Sequence, residues 1–139
     1  MIRGFIDGRA PRIAAFVSVP ALGGTPVQVR FLLDTGAATS LISPVDSRAM
    51  GLNPRQLVDD PRAASAGGIG GTIRYVAVVA FLDFVEDTAR LKPYRAPIGI
   101  AESSAASEVL PSILGMDFIS AFRLTVSVLE HRVELAPIS

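Results

Sequence analysis

The chain contains no cysteine, one histidine and one lysine, and each shortage removes a class of chemistry. Without cysteine there are no disulfides, thiolate nucleophiles or zinc-thiolate sites. A histidine-based metal site or a Ser-His-Asp triad would have to be built on His131 alone. Its neighbours Glu130 and Arg132 mark it as a solvated turn residue. Charge of one sign is also missing. Thirteen basic and 13 acidic residues are interspersed, giving a formal net charge of zero. That pattern is no footprint for nucleic acid or an anionic membrane. No apolar run reaches the length of a membrane span, since Arg74, Asp83 and Glu86 interrupt the best candidate around residues 75–85. The N-terminus lacks the basic-apolar-small order of a signal peptide, so the cytoplasm is the expected location.

What is present is apolar. Half of the 139 residues are hydrophobic and the mean hydropathy is +0.45. A single domain covering 1–139 is expected, with a substantial core. A chain this apolar either buries an unusual share of itself or covers surface with a partner.

The most informative segment is Leu32-Leu33-Asp34-Thr35-Gly36-Ala37. Two apolar residues end a buried strand, an acid sits at its tip, and a hydroxyl and a glycine turn the backbone. A carboxylate there costs several kcal/mol unless it is hydrogen-bonded or paired, so chemistry is the usual reason for it. About eighty residues on, Ile113-Leu114-Gly115-Met116-Asp117-Phe118 repeats an apolar pair leading into glycine and a short helix. An Asp-Thr-Gly alone is a weak signal. The flanking apolar pair, Ala37, the Leu41-Ile42 pair and the spaced Ile-Leu-Gly make it specific.

These motifs resemble the aspartic proteases, and most closely their retropepsin-like branch, over roughly residues 12–135. The resemblance implies an all-β, retropepsin-like acid-protease barrel with one or two short helices. The chain carries one Asp-Thr-Gly and no Asp-Ser-Gly, whereas the chemistry needs two carboxylates. The second must come from another copy, so a homodimer is expected, with peptide or protein as substrate. By the same resemblance Asp34, Thr35 and Gly36 are catalytic, with Thr35, which by itself also reads as a locally bonded turn residue, reaching across the two-fold axis and the Gly36 amide bonding the carboxylate. Gly36 also allows a conformation forbidden to residues with a Cβ and lets the two loops approach closely. No metal or organic cofactor is required. A different class, a peptide-binding or dimerisation module that retains the fold without catalysis, is the alternative.

Residues 12–20 and 26–33 read as a hairpin around Ala21-Leu22-Gly23-Gly24-Thr25. Ser43-Pro44 opens a helix that Gly51 ends. Gly67-Gly68-Ile69-Gly70-Gly71 reads either as an ordinary loop or as the family's substrate-covering flap, and its position favours the flap. Ala37, Ala38, Gly68, Ile69 and Gly70 are the implied substrate contacts. Strands are expected over 74–84, 96–100 and 109–114, a helix over 116–122, and a last hairpin over 123–129 and 132–135. Asp117 is expected as a cap on that second helix. The apolar segments Phe16-Val17-Ser18-Val19 and Val133-Glu134-Leu135 are expected to be available for pairing between subunits. Two retroviral features are missing: the acid two positions after the catalytic glycine and its arginine partner are replaced by Ala38 and Met116.

Overall fold

The computed structural model describes residues 1–52, 72–102, 105 and 107–138. Among these residues the strands are β1 Ile2–Arg3, β2 Phe5–Asp7, β3 Ala10–Val19, β4 Gly23–Leu33, β5 Leu41–Ile42, β6 Thr72–Val85, β7 Thr88–Ala101, β8 Ile113–Leu114, β9 Phe122–Ser127 and β10 Arg132–Pro137. The α-helices are α1 Pro44–Ala49 and α2 Met116–Ile119. No helix is long and apolar enough to cross a membrane among the described residues.

All the strands join one sheet in the order β2-β3-β4-β8-β5-β7-β6-β1-β10-β9. Because β3 also pairs with β6, from Ala15↔Phe81 to Ser18↔Val78, the strands from β3 round to β6 close into a barrel. The period of two is explicit on β6, where Ile73, Tyr75, Ala77, Val79 and Phe81 are buried on one face. They meet Ile13, Val17, Val29, Phe31, Ile98, Leu114 and Leu135 in a single core. Each fully buried Val, Ile or Phe side chain there contributes about 1.5–3 kcal/mol. An edge-to-face aromatic chain, Phe118–Phe81–Tyr94–Phe122, fastens α2 to the barrel.

The first hairpin forms as its sequence suggests, with a short 3₁₀ turn over Pro20–Leu22 and a register shift between Val17 and Val19. Ser43 caps α1, accepting from the Asp46 amide, with Pro44 in the first turn. Gly51 follows the helix at φ +81°, the left-handed conformation that favours glycine.

Several boundaries differ from expectation. β7 begins at Thr88 and not at 96, pairing with β6 from Val85↔Thr88 onward through a two-residue turn whose first residue, Glu86, has φ +55°. Its charged, exposed first half hides the alternation. Pro93 and Pro97 are tolerated because β7 has a second described partner only at Gly99 and Ile100. The expected strand over 109–114 shrinks to β8, preceded by a 3₁₀ turn at Ser107–Val109. The second helix stops at Ile119. The edges expected to pair between subunits are used within the chain. Phe16 to Val19 lies between β4 and β6, and Val133 to Leu135 lies between β9 and β1.

Candidate active site

β4 carries Leu32 and Leu33 into parallel pairing with Ile113 and Leu114 of β8. The ladder extends one bond at each end. The Leu32 amide donates to the Ser112 carbonyl at 2.8 Å and the Asp34 amide to the Leu114 carbonyl at 3.0 Å. The two apolar motifs are thus hydrogen-bonded to each other, and Asp34 stands where the strand gives way to a turn. The Ala37 amide closes that turn on the Asp34 carbonyl at 3.2 Å.

Asp34 is half-buried, whereas Thr35 and Gly36 are exposed. The Gly36 amide donates to Asp34 Oδ1 at 2.9 Å, leaving Oδ2 without a partner among the described residues. A carboxylate fixed by one oxygen and open at the other can take up or release a proton at the open one. Gly36 does not occupy the left-handed region. An added Cβ would lie 3.2 Å from Asp34 Oδ1, close enough that the carboxylate would have to shift.

The far side of the loop is held by α2. The Met116 amide donates to the Ala37 carbonyl at 2.8 Å and the Asp117 amide to the Ala38 carbonyl at 3.1 Å. Gly115 makes this approach possible, because a Cβ would sit 2.8 Å from the Ala37 carbonyl oxygen and 2.9 Å from the Thr39 backbone. Asp117 differs from its expected role. Gly115 occupies the N-cap position of α2, and the Asp117 carboxylate reaches outside the helix to Ser40. Oδ2 accepts from the Ser40 amide at 2.9 Å, while Oδ1 accepts from Ser40 Oγ at 2.6 Å and the Phe118 amide at 3.0 Å. Ser40 Oγ in turn accepts from the Gly115 amide at 2.9 Å. Ser40, buried to 1% exposure, was not singled out in the sequence. A lone serine six residues past Asp34 carries no local signal, because its partners are far away in the chain.

The structure therefore brings Asp34, Thr35, Gly36, Ala37 and Ala38 onto one loop facing out of the barrel. Gly68, Ile69 and Gly70, and the flap reading, lie outside the described residues. His131 is an exposed turn residue at φ +51°.

An all-β barrel of this design, with β4 and β8 paired in parallel and the loop after β4 held to a short helix, is the retropepsin-like fold. The retropepsin-like aspartic protease from Rickettsia conorii superposes with a TM-score of 0.58 at 16% identity, over 96% of this chain and 88% of that one. The retroviral protease-like domain of Ddi1 from Leishmania major gives 0.46 at 18% identity, covering 89% and 93%. An inhibitor-bound EIAV protease gives 0.41 at 19%, covering 81% and 88%. No curated protein sequence matches this chain. The sequence profile described as aspartyl protease matches residues 19–118, and the chain belongs to that family.

Proposed function

We propose that the protein is an aspartic endopeptidase acting as a homodimer, each chain contributing one Asp34. A single observation carries this reading. One Asp-Thr-Gly loop, braced from behind by β8 and α2, leaves its threonine and glycine exposed and one Asp34 oxygen open. A second copy related by a two-fold axis would cover that exposed loop and bring two carboxylates together.

Two like charges so close cannot both ionise, so the pair shares one proton, as aspartic proteases do. The charged member takes a proton from a bound water, whose oxygen adds to the peptide carbonyl carbon. The protonated member gives its proton to the carbonyl oxygen. Collapse of the tetrahedral intermediate returns a proton to the departing amine as the C–N bond breaks. Protons and electrons balance without a metal. Thr35 would lie at the two-fold axis, Ala37 and Ala38 would line the cleft beside an extended peptide, and Gly68, Ile69 and Gly70 would cover it. The test is cleavage of a random peptide library by the wild type and by Asp34→Asn. The reading requires cleavage by the first and none by a folded second.

A further inference from the structure

A cavity of about 440 Å³ lies between the outer face of β3 and β4, the start of α1, and the segment 109–112. That volume is within the range that holds small ligands. No part of the catalytic proposal uses it. Its floor carries two arginines. Arg12 pairs across the strands with Leu32, and Ala14 with Arg30, so the guanidinium-bearing residues are diagonal neighbours on one face. Gln28 follows Arg30 on that face.

The two cations are not equally neutralised. Arg12 Nε is 3.1 Å from Asp7 Oδ2, off the hydrogen-bond line, so the contact is an ion pair that leaves this shielded N–H without an acceptor. Arg30 is exposed and has no carboxylate partner among the described residues, and its guanidinium stands 6.0 Å from the Phe5 ring centre. One oxygen of the acid on the opposite wall, Asp46, is engaged by hydroxyls. Its Oδ2 accepts from Ser112 Oγ at 2.6 Å and Ser43 Oγ at 3.2 Å. The rim is apolar, with Val109 82% and Leu110 46% exposed. It is held in place by a two-pronged Arg48–Glu108 ion pair with both contacts at 2.6 Å. An unpaired guanidinium, a flanking amide and an apolar rim together suit an acidic side chain on an extended peptide.

We infer that this cavity is a substrate subsite selecting Glu or Asp, with Arg30 as the recognising residue and Arg12 reinforcing its field. The inference rests on the endopeptidase reading. Arg30 lies four residue steps before Asp34, about 13 Å of extended chain, which on this reading sets the acid about three to four residues from the scissile bond. Two-fold symmetry puts one such cavity at each end of the cleft, so acids are favoured on both sides of the bond.

A random peptide library digested by the wild type, with the products sequenced, tests this. Enrichment of Glu and Asp over Gln and Asn on the order of tenfold at the third or fourth position is expected, as for a charge-assisted hydrogen bond. Arg30→Gln should erase the enrichment and Arg30→Glu should shift it toward Lys. Cleavage with no acid preference, or a preference that survives both variants, overturns the subsite and leaves the protease reading standing. If no library member is cleaved, labelled alanine-based peptides bearing one Glu or one Gln are titrated by anisotropy. An Arg30-dependent preference for Glu then supports the cavity while the protease reading fails, and equal or absent binding overturns it.

Discussion

Ser40 and Asp117 lie 77 positions apart, yet the Asp117 carboxylate accepts from both the amide and the hydroxyl of Ser40, at 2.9 and 2.6 Å. This pair locks the end of the Asp-Thr-Gly loop to the helix that follows Ile-Leu-Gly.

Removing the Ser40 hydroxyl strands the Gly115 amide, its buried donor. Ser40→Ala should therefore lower stability by about 1–3 kcal/mol. Asp117 is exposed, so Asp117→Asn should cost less, about 1 kcal/mol, by losing one acceptor for Ser40. Urea unfolding of both single variants and the double variant gives the coupling. Losses that simply add would mean the two residues do not act as one connection.

Two glycines should respond to the same substitution in opposite ways. At Gly115 an added methyl meets backbone of Ala37 and Thr39, neither of which can swing away. Gly115→Ala should destabilise by about 1–3 kcal/mol, as overpacking does. At Gly36 the nearest atom is an Asp34 side-chain oxygen, which can rotate. Gly36→Ala should leave the melting temperature nearly unchanged while displacing the carboxylate and abolishing peptide cleavage. Equal thermal shifts in the two variants would contradict this contrast.

Both motifs were legible in the sequence because each is a compact local string, apolar pair followed by a turn residue. The α1 start at Ser43-Pro44 and its Gly51 end were legible for the same reason. What was hidden depends on pairing between distant segments. Thr88 to Arg95 does not look like a strand, as its residues are charged and mostly exposed, and only the ladder with β6 makes it one. β1 and β2 are too short to show a period, and they exist because β10, β6 and β3 offer edges. Ser40 and the Arg30 cavity belong to this second kind.

Acid should weaken one surface connection in a predictable direction. Arg132 donates to Glu134 from Nε at 2.9 Å and Nη2 at 3.0 Å. Those hydrogen bonds first, then the charges of Arg132 and Arg3, hold the Glu134 carboxyl below its ordinary value against the opposing effect of desolvation. A carboxyl depressed in the folded state contributes stability that is present above the unfolded-state value and lost as pH falls through the folded one. Glu134→Gln should thus be less stable than wild type at neutral pH, with the gap closing in acid. Urea midpoints across the acid range measure it, and a gap independent of pH would assign the effect to packing.

The proposed dimer makes the sharpest demand on the chemistry. Each chain supplies a single Asp34 and an exposed Asp-Thr-Gly loop, while its β3 and β10 edges are already paired internally. The proposed interface must then be built around the loops themselves, and a two-fold axis makes it isologous. If one Asp34 from each chain forms the active pair, Asp34→Asn subunits should act as poisons. A wild-type chain paired with a variant chain has one carboxylate, too few for simultaneous base and acid roles. With variant in equal amount and random exchange, about a quarter of dimers remain wild type on both sides, and activity per wild-type chain should fall by about half. Dilution should lower specific activity as dimers dissociate, and sedimentation velocity should track the same concentration range. Constant activity per wild-type chain after full exchange with Asp34→Asn, or at dilutions where only monomer sediments, would place the second carboxylate within the chain and end the shared-pair mechanism.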